Sequence, residues 1–446
     1  YNTAGQFFIP QGTESTTFES ISSLQVPDAD DVLRFEVDTD AGTIRVYFQN
    51  EGTGSFTEIT GARVDNFSFD PSFGVRPAVS NYNNSEVTLQ TGGQTTLSSV
   101  STGFLEINQD NLDDTASKIT AWAWIKNRDA VDNHILVDRV RGVGKDLHSN
   151  DTPAEATNMN TVQRFLQRGV QVGNDVEVNT ANESYVLWQW LVGDTATSAT
   201  SFAVDSISSG VPNLASTALV ADADHFAIVS YTGAGGSVSS SNTIRHGMSA
   251  APEMIIIKER DNANGWIVGS DVVGYTKMLR LDATDAETTD SGSFNDTAPS
   301  ATLITLGSNN GTNRSSGKMI CYAFRSVPGV CKVGSYTGNG SSDGPYVSTG
   351  FLPRWVMIKN IGVSRDWTIA DTARHPTNVI GEFLFANTNS DEDTKGTTSG
   401  TDYDIDVLSD GFKIRTVDGA LNSGTLLYMA IADIGGNGTL PPIYGR

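Results

Sequence analysis

Three stretches of this chain end in the same dipeptide: Trp122-Ala123-Trp124-Ile125-Lys126, Met254-Ile255-Ile256-Ile257-Lys258 and Trp355-Val356-Met357-Ile358-Lys359. Short apolar runs bounded by Gly, Asn, Asp and Ser read as buried strands. The first two continue alike, as Asn127-Arg128-Asp129 and Glu259-Arg260-Asp261. Each is followed by a second short strand: Ile135 to Asp138, Trp266 to Val268, and Trp367 to Ile369. After a turn-rich region each unit closes on an apolar run: Tyr185 to Trp190, Met319 to Phe324, and Leu427 to Ile431. Lys126 to Trp188 is 62 residues, Lys258 to Tyr322 is 64, and Lys359 to Met429 is 70. Loops absorb differences of that size, so the spacing predicts an internal repeat.

A second marker, Ser230-Tyr231-Thr232-Gly233 and Ser335-Tyr336-Thr337-Gly338, precedes the last two units. A weaker echo links Ser101-Thr102-Gly103-Phe104 with Ser348-Thr349-Gly350-Phe351. The chain therefore divides near 1–115, 116–225, 226–332 and 333–446, the first segment lacking the repeat. In that segment Leu33 to Val37 and Thr43 to Tyr47 alternate cleanly around a hairpin turn at Asp38 to Gly42, and Glu86 to Gln90 reads as a half-buried strand. Helix signals are nearly absent. The fold class expected is all-β: tandem antiparallel β-sandwich domains, three of them internal repeats.

Composition narrows the function. The 446 residues exceed one ordinary core. A net charge of -23 disfavours nucleic acid as a partner. Seven Trp, twelve Tyr and nineteen Phe exclude a disordered acidic chain. No run approaches the roughly 18 apolar residues of a membrane helix, so no membrane insertion is expected. No signal peptide is visible. The sequence opens at Tyr1 rather than Met, which points to processing or to a start inside a longer chain. Cys321 and Cys331 are the only cysteines. Cys321, within Met319 to Phe324, reads as a small buried hydrophobe, with a disulfide to Cys331 as the alternative.

The repeat units resemble a domain found in structural proteins of tailed bacteriophages, especially marine ones, where it occurs in tail fibres. The resemblance rests on Ser335-Tyr336-Thr337-Gly338-Asn339-Gly340, the strand through Ile358-Lys359, Asp371-Thr372-Ala373-Arg374, and Ser409-Asp410-Gly411-Phe412. The middle unit matches at His246-Gly247 and at Ala251-Pro252-Glu253 through Lys258, and the first at Asp138-Arg139-Val140-Arg141-Gly142. It covers roughly three quarters of the chain. The leading segment is similar to the second half of a SPRY-type, concanavalin-like sandwich, through Phe35-Glu36-Val37-Asp38 to Thr43-Ile44-Arg45-Val46, Arg76 to Ser80, and Val87-Thr88-Leu89. That likeness implies a binding or spacer module, not an enzyme.

Catalytic constellations do not emerge. There is no phosphate loop after a strand, no His-Glu-x-x-His pair and no nucleophile elbow. Gly233-Ala234-Gly235-Gly236 reads as a tight turn. None of the five histidines has metal-ligand spacing, and His246 reads as a turn residue. Acidic loops hold Asp282, Asp285 and Glu287 in the middle unit and Asp391-Glu392-Asp393 in the last. They read as solvated loops, with calcium as the alternative. No cofactor is expected. Lys126, Lys258 and Lys359 read as strand ends whose stems cover apolar surface and whose ammonium groups stay in solvent. Arg128 and Arg260 read as partners of a nearby Asp. Most tryptophans are core candidates, and Trp190, at a strand end, is a ligand candidate beside Asp282, Asp285, Asp391 and Asp393.

From the resemblance, the expected function is a non-enzymatic virion protein, a tail fibre or appendage meeting host-surface polysaccharide. Expected partners are other virion proteins and copies of itself, as in a trimer. A capsid, collar or tail decoration protein without receptor role is the alternative. A polysaccharide depolymerase would need paired carboxylates across a groove and ranks below both.

Overall fold

A computed structural model describes residues 118–166, 168–193, 200–202, 212–236, 242–394 and 403–432, and the strands Val32–Asp38, Thr43–Gln49 and Thr57–Glu58. The chain forms two compact units, Tyr1–Asp113 and Asp114–Arg446. In the first, Val32–Asp38 pairs antiparallel with Thr43–Gln49, Asp38 opposite Thr43, which is the hairpin read from the alternation. The strand expected at Glu86 to Gln90 and the echo at Ser101 to Phe104 lie outside the described residues.

The second unit is predominantly β-strand, arranged in several sheets. Three of those sheets share one strand order, here called modules 1, 2 and 3. In module 3 the opening strand Cys331–Thr337 lies beside the closing strand Thr425–Ala432. Next come the Ile-Lys strand Pro353–Asn360, then Thr368–Asp371 and Glu382–Phe385. Module 2 repeats the order as Phe226–Thr232, Lys318–Phe324, Met254–Glu259, Ile267–Ser270 and Lys277–Arg280. Module 1 shows Tyr185–Gly193, Lys118–Asn127 and Ile135–Asp138 in the same succession. The registers agree: Trp188 faces Trp124, Tyr322 faces Ile256, and Met429 faces Met357.

The Ile-Lys strands are apolar throughout because both their faces are covered. Side chains alternate between faces along a strand. Trp122 and Trp124, Met254 and Ile256, and Trp355 and Met357 enter one core shared by all three modules. The intervening Ile125, Ile255 with Ile257, and Val356 with Ile358 enter three separate cores, one inside each module. Smaller sheets cover those inner faces: Val162–Leu166 with Gly169–Val172, Asn242–Arg245 with Leu303–Leu306, and Tyr346–Ser348 with Gly411–Ile414 and Ile405–Leu408.

The Tyr-Thr-Gly marker has a packing cause. A single helical turn precedes each closing strand: Val176–Asn179, Asn310–Asn313 and Gly419–Asn422. Asp175, Asn309 and Asp418 cap these turns by accepting from the backbone N–H two residues on. The turns of modules 2 and 3 sit against the marker. Tyr231 and Tyr336 donate their hydroxyls to Thr312 O and Leu421 O, both at 2.6 Å. A Cβ on Gly233 would lie 2.3 Å from Arg314 O, and one on Gly338 would lie 2.1 Å from Asn422 C. Only glycine admits so close a backbone.

The chain enters module 1 at Lys118, opposite Gly193, and leaves module 3 at Ala432, opposite Pro353. Both points lie at the end of the sheets away from Lys126 and Lys359. Cys321 and Cys331 are buried free thiols, so the disulfide alternative does not hold. Among the described residues no helix is long and apolar enough to cross a membrane.

Candidate functional site

Polar groups that recur in all three modules collect where one module meets the next. Lys126, Lys258 and Lys359 share the face of the shared core, two residues beyond Trp124, Ile256 and Met357. The expectation of solvated ammonium groups is overturned: all three side chains are 0% exposed. Lys258 Nζ donates to Glu259 O at 2.9 Å and across to Thr152 O of module 1 at 3.1 Å. Lys359 Nζ donates to Arg365 O and across to Thr284 O of module 2 at 2.7 Å. Lys126 Nζ donates to Asn127 O at 2.6 Å and Ala130 O at 3.0 Å. Burial disfavours the charged form, and each pKa falls from 10.5 to about 8, against the partial restoring pull of nearby carboxylates. A stem reaches solvent only if no neighbour covers it, and here the adjoining module's loop does.

Backbone bonds repeat the same cycle. Glu155 N donates to Arg260 O at 2.7 Å, Glu287 N to Ile361 O at 2.8 Å, and Glu392 N to Arg128 O at 2.8 Å. Ring N–H groups do likewise. Trp266 Nε1 donates to His148 O at 2.7 Å and Trp367 Nε1 to Arg280 O at 2.8 Å. In module 1 that position is His134, whose Nδ1 accepts from Trp124 Nε1 at 2.8 Å. Its proton therefore sits on Nε2, which donates to Phe385 O at 3.1 Å. Burial and then the Lys126 charge push the His134 pKa to about 3, so the ring stays neutral. Module 2 thus docks on module 1, module 3 on module 2, and module 1 on module 3. The contacts close a ring.

Side-chain chemistry divides the three contacts. Between modules 1 and 2, Asp138 pairs with Arg141 at 2.5 Å, Arg141 with Glu155 at 3.3 Å, and Glu155 with Arg260 at 2.7 Å. Tyr322 donates to Asp138 at 2.7 Å. Between modules 3 and 1, Asp371 pairs with Arg374 at 2.5 Å, and Arg374 and Arg128 both pair with Glu392 at 2.6 Å. Trp188 donates to Asp371 at 2.9 Å and also lies under the Arg374 guanidinium. Burial pushes the Glu155 and Asp371 carboxyls up, but Arg260 with Arg141, and Arg374 with Trp188, outweigh it and hold both below their usual range. Between modules 2 and 3 the corresponding positions are Ser270, Val273 and Ile361. There Val273 and Ile361 join the shared core, and Glu287 pairs with Lys277 instead. Arg128 and Arg260 thus bind glutamates of a neighbouring module rather than a nearby Asp.

The remaining candidates take these places. Trp190 is 4% exposed and stacks on Trp122 with ring centroids 4.1 Å apart, inside the shared core. Asp282 accepts from Trp266 N at 2.7 Å, as Asn387 does from Trp367 N and Asn150 from His134 N. It fixes the loop that receives module 3. Asp285 and Asp391 are exposed, on the loops facing Lys359 and Lys126, and Asp393 begins the short strand Asp393–Thr394. The structure does not gather Trp190 with these aspartates. Among the described residues no group of three His, Cys, Asp or Glu could hold a metal ion. His246 is buried, its Nδ1 accepting from Met248 N and its Nε2 meeting Ser300 O.

A motif outside the strand pattern marks the three receiving loops. Asn150 to Glu155, Asp282 to Glu287 and Asn387 to Glu392 share a capping amide or carboxylate and, five residues on, a glutamate. That glutamate follows the module's lysine by 29 residues in modules 1 and 2 and by 33 in module 3, a spacing visible in the chain.

The fold and site define a β-protein whose recurrent polar residues join modules. Residues 79–434 match a domain family described as a domain of unknown function, DUF7483. The match covers most of the chain, so the chain belongs to that family. It begins inside the segment read as the leading sandwich. No curated protein and no solved structure matches.

Proposed function

We propose that the protein is a non-enzymatic bacteriophage virion component, a tail fibre or similar appendage that contacts host-surface glycans. On this reading the three modules are copies of one unit. The observation that carries it is the use to which the recurrent residues are put. Lys258, Lys359, the glutamates of the receiving loops and the ring N–H donors bind module to module, as befits a stiff building block. The positions behind the resemblance to phage fibre domains, Tyr336 to Gly338, Lys359 and Asp371 to Arg374, are among these packing positions or support them. Beyond the docked lysines, Asp129, Asp261 and Val363 are exposed on the loops that follow the Ile-Lys strands.

A decorating role on capsid, collar or tail without receptor contact is the second reading. Tyr346 is the one aromatic among the strongly exposed large apolar side chains of the described residues, a thin platform for stacking sugars. Adsorption competition decides between them. Purified protein that blocks particle attachment to host cells supports the fibre. Labelled antibody that decorates the shell, with no effect on attachment, supports decoration. Failure to find the chain in particles contradicts both.

A further inference from the structure

The geometry points to the outer face of module 3's covering sheet as a saccharide site, with a neutral pyranose of a surface glycan as its ligand and Tyr346 as its stacking ring. This rests on the reading of the chain as an appendage that meets glycans, and it places the contact. The residues that join the modules recur, whereas the outward faces of the three covering sheets differ. In module 1 that face carries Gln163 bonded to Gln171, and in module 2 Thr243 opposite Thr305. Among the described residues, only module 3 puts a strongly exposed aromatic there, Tyr346 at 45%.

Strand alternation builds the face. Val347, Phe412, Ile414 and Ile405 enter the core of module 3, so Tyr346, Ser348, Lys413 and Asp406 point away from it. Tyr346 pairs with Lys413, and Lys413 with Asp406, across the three strands. Ser348 lies opposite Gly411, where a Cβ would sit 2.1 Å from Val347 O. The place beside the phenol ring therefore carries only a small side chain and a glycine. The Tyr346 hydroxyl reaches Asp410 and Ser348, which ties the ring to the sheet.

The charges around the ring offset one another. Lys413 pairs with Asp343 at 2.8 Å and Arg415 with Asp406 at 2.5 Å. No surplus cation is left to draw a polyanion, and the net charge of -23 adds repulsion. What remains is a set of carboxylate acceptors and ammonium and hydroxyl donors beside one aromatic face. A pyranose is the complement of that set, with an apolar C–H face to stack and a rim of hydroxyls that both donate and accept. Tyr346 alone offers one stacking face; Asp343, Asp410, Lys413 and Ser348 supply the polar contacts for the rim.

Saturation-transfer NMR on the full chain tests the site, with maltotriose as the neutral probe and trigalacturonate as the acidic one. Maltotriose should receive saturation on its ring protons, and trigalacturonate should not. Tyr346→Ala should weaken maltotriose binding about tenfold, the worth of one stacked ring. Tyr346→Phe should retain most of the binding. Leu352→Ala, which removes another exposed apolar side chain of module 3, should change nothing. Unchanged binding in Tyr346→Ala, preference for trigalacturonate, or no binding of either probe overturns the proposal. Blocking of particle attachment separates this site from the wider reading. If wild-type and Tyr346→Ala protein block equally, the appendage stands and this site falls. Protein that binds maltotriose through Tyr346 yet blocks nothing keeps the site and removes the attachment role.

Discussion

The amide of Glu392 donates a 2.8 Å hydrogen bond to the carbonyl of Arg128, 264 residues away, while the Glu392 carboxylate holds the Arg128 guanidinium. This pair fastens the last module to the first. Its counterparts, Glu155 with Arg260 and Glu287 with Ile361, are the steps between consecutive modules.

Removing the Glu392 charge leaves Arg374 and Arg128 facing a neutral amide, Arg374 being almost wholly buried. Glu392→Gln should cost about 1–3 kcal/mol, because Arg374 keeps Asp371 as a partner and Arg128 is partly exposed. Glu287→Gln breaks only a partly exposed pair with Lys277 and should cost at most about 1 kcal/mol. Urea denaturation of both variants checks the contrast. Equal losses would mean that the third contact is no less ionic than the others.

The buried lysines give stability an alkaline slope. Their folded pKa of about 8 lies below the unfolded 10.5, so above pH 8 the unfolded chain holds more protons. Stability therefore rises from pH 8 toward 9, the sense required by proton linkage. Beyond pH 9 the buried thiols, raised by desolvation, and then the buried tyrosines oppose it. Denaturation midpoints at pH 7.5, 8.25 and 9 should increase in order, and Lys258→Met should flatten the rise. A midpoint that falls over this window contradicts the burial of the lysines.

On the acid side the sign reverses. His134 is neutral in the fold down to about pH 3, so stability begins to drop as the unfolded histidine protonates below pH 6.5. It drops further as the depressed Glu155 and Asp371 carboxylates protonate below their usual range. His134→Phe should reduce the first part of this loss, the desolvated His148 and His246 keeping their shares, and leave the second. Midpoints measured from pH 7 to 3 separate the two.

Gly338→Ala places a Cβ 2.1 Å from the Asn422 carbonyl carbon, a backbone atom that cannot step aside. A loss of about 1–3 kcal/mol or more is expected. Gly340→Ala, where φ is +67° with open space around it, should cost less, about 1 kcal/mol. Thermal melts of the two variants give the order.

The strand repeat was legible because both faces of the Ile-Lys strands are buried, which prints uninterrupted apolar runs on the sequence. The spacing of Trp188, Tyr322 and Met429 from their lysines then located three equivalent register positions. The burial of those lysines was not legible. For Lys258 and Lys359 it depends on loops at Thr152 and Thr284, which belong to a different module, and no local pattern announces such a cover. The same holds for Trp190, whose place at a strand end says nothing of Trp122 and Trp355 packed beside it. Arg128 misled for a related reason. Its partner Glu392 is distant in sequence, whereas Asp129 is adjacent. The leading segment beyond its hairpin falls outside the described residues.

Ring closure is the claim on which the rest depends, and a distance between modules 1 and 3 tests it most directly. Spin labels at Asp129 and Asn389, both exposed, would sit on the two sides of the Arg128–Glu392 contact. A closed ring predicts a narrow distribution centred below about 25 Å, the reach of two labels across one contact. A linear array of three modules of about 100 residues, each with a radius of gyration near 13 Å, would separate them by roughly 50 Å. A single short-distance peak supports the ring, and a dominant population near the longer distance contradicts it.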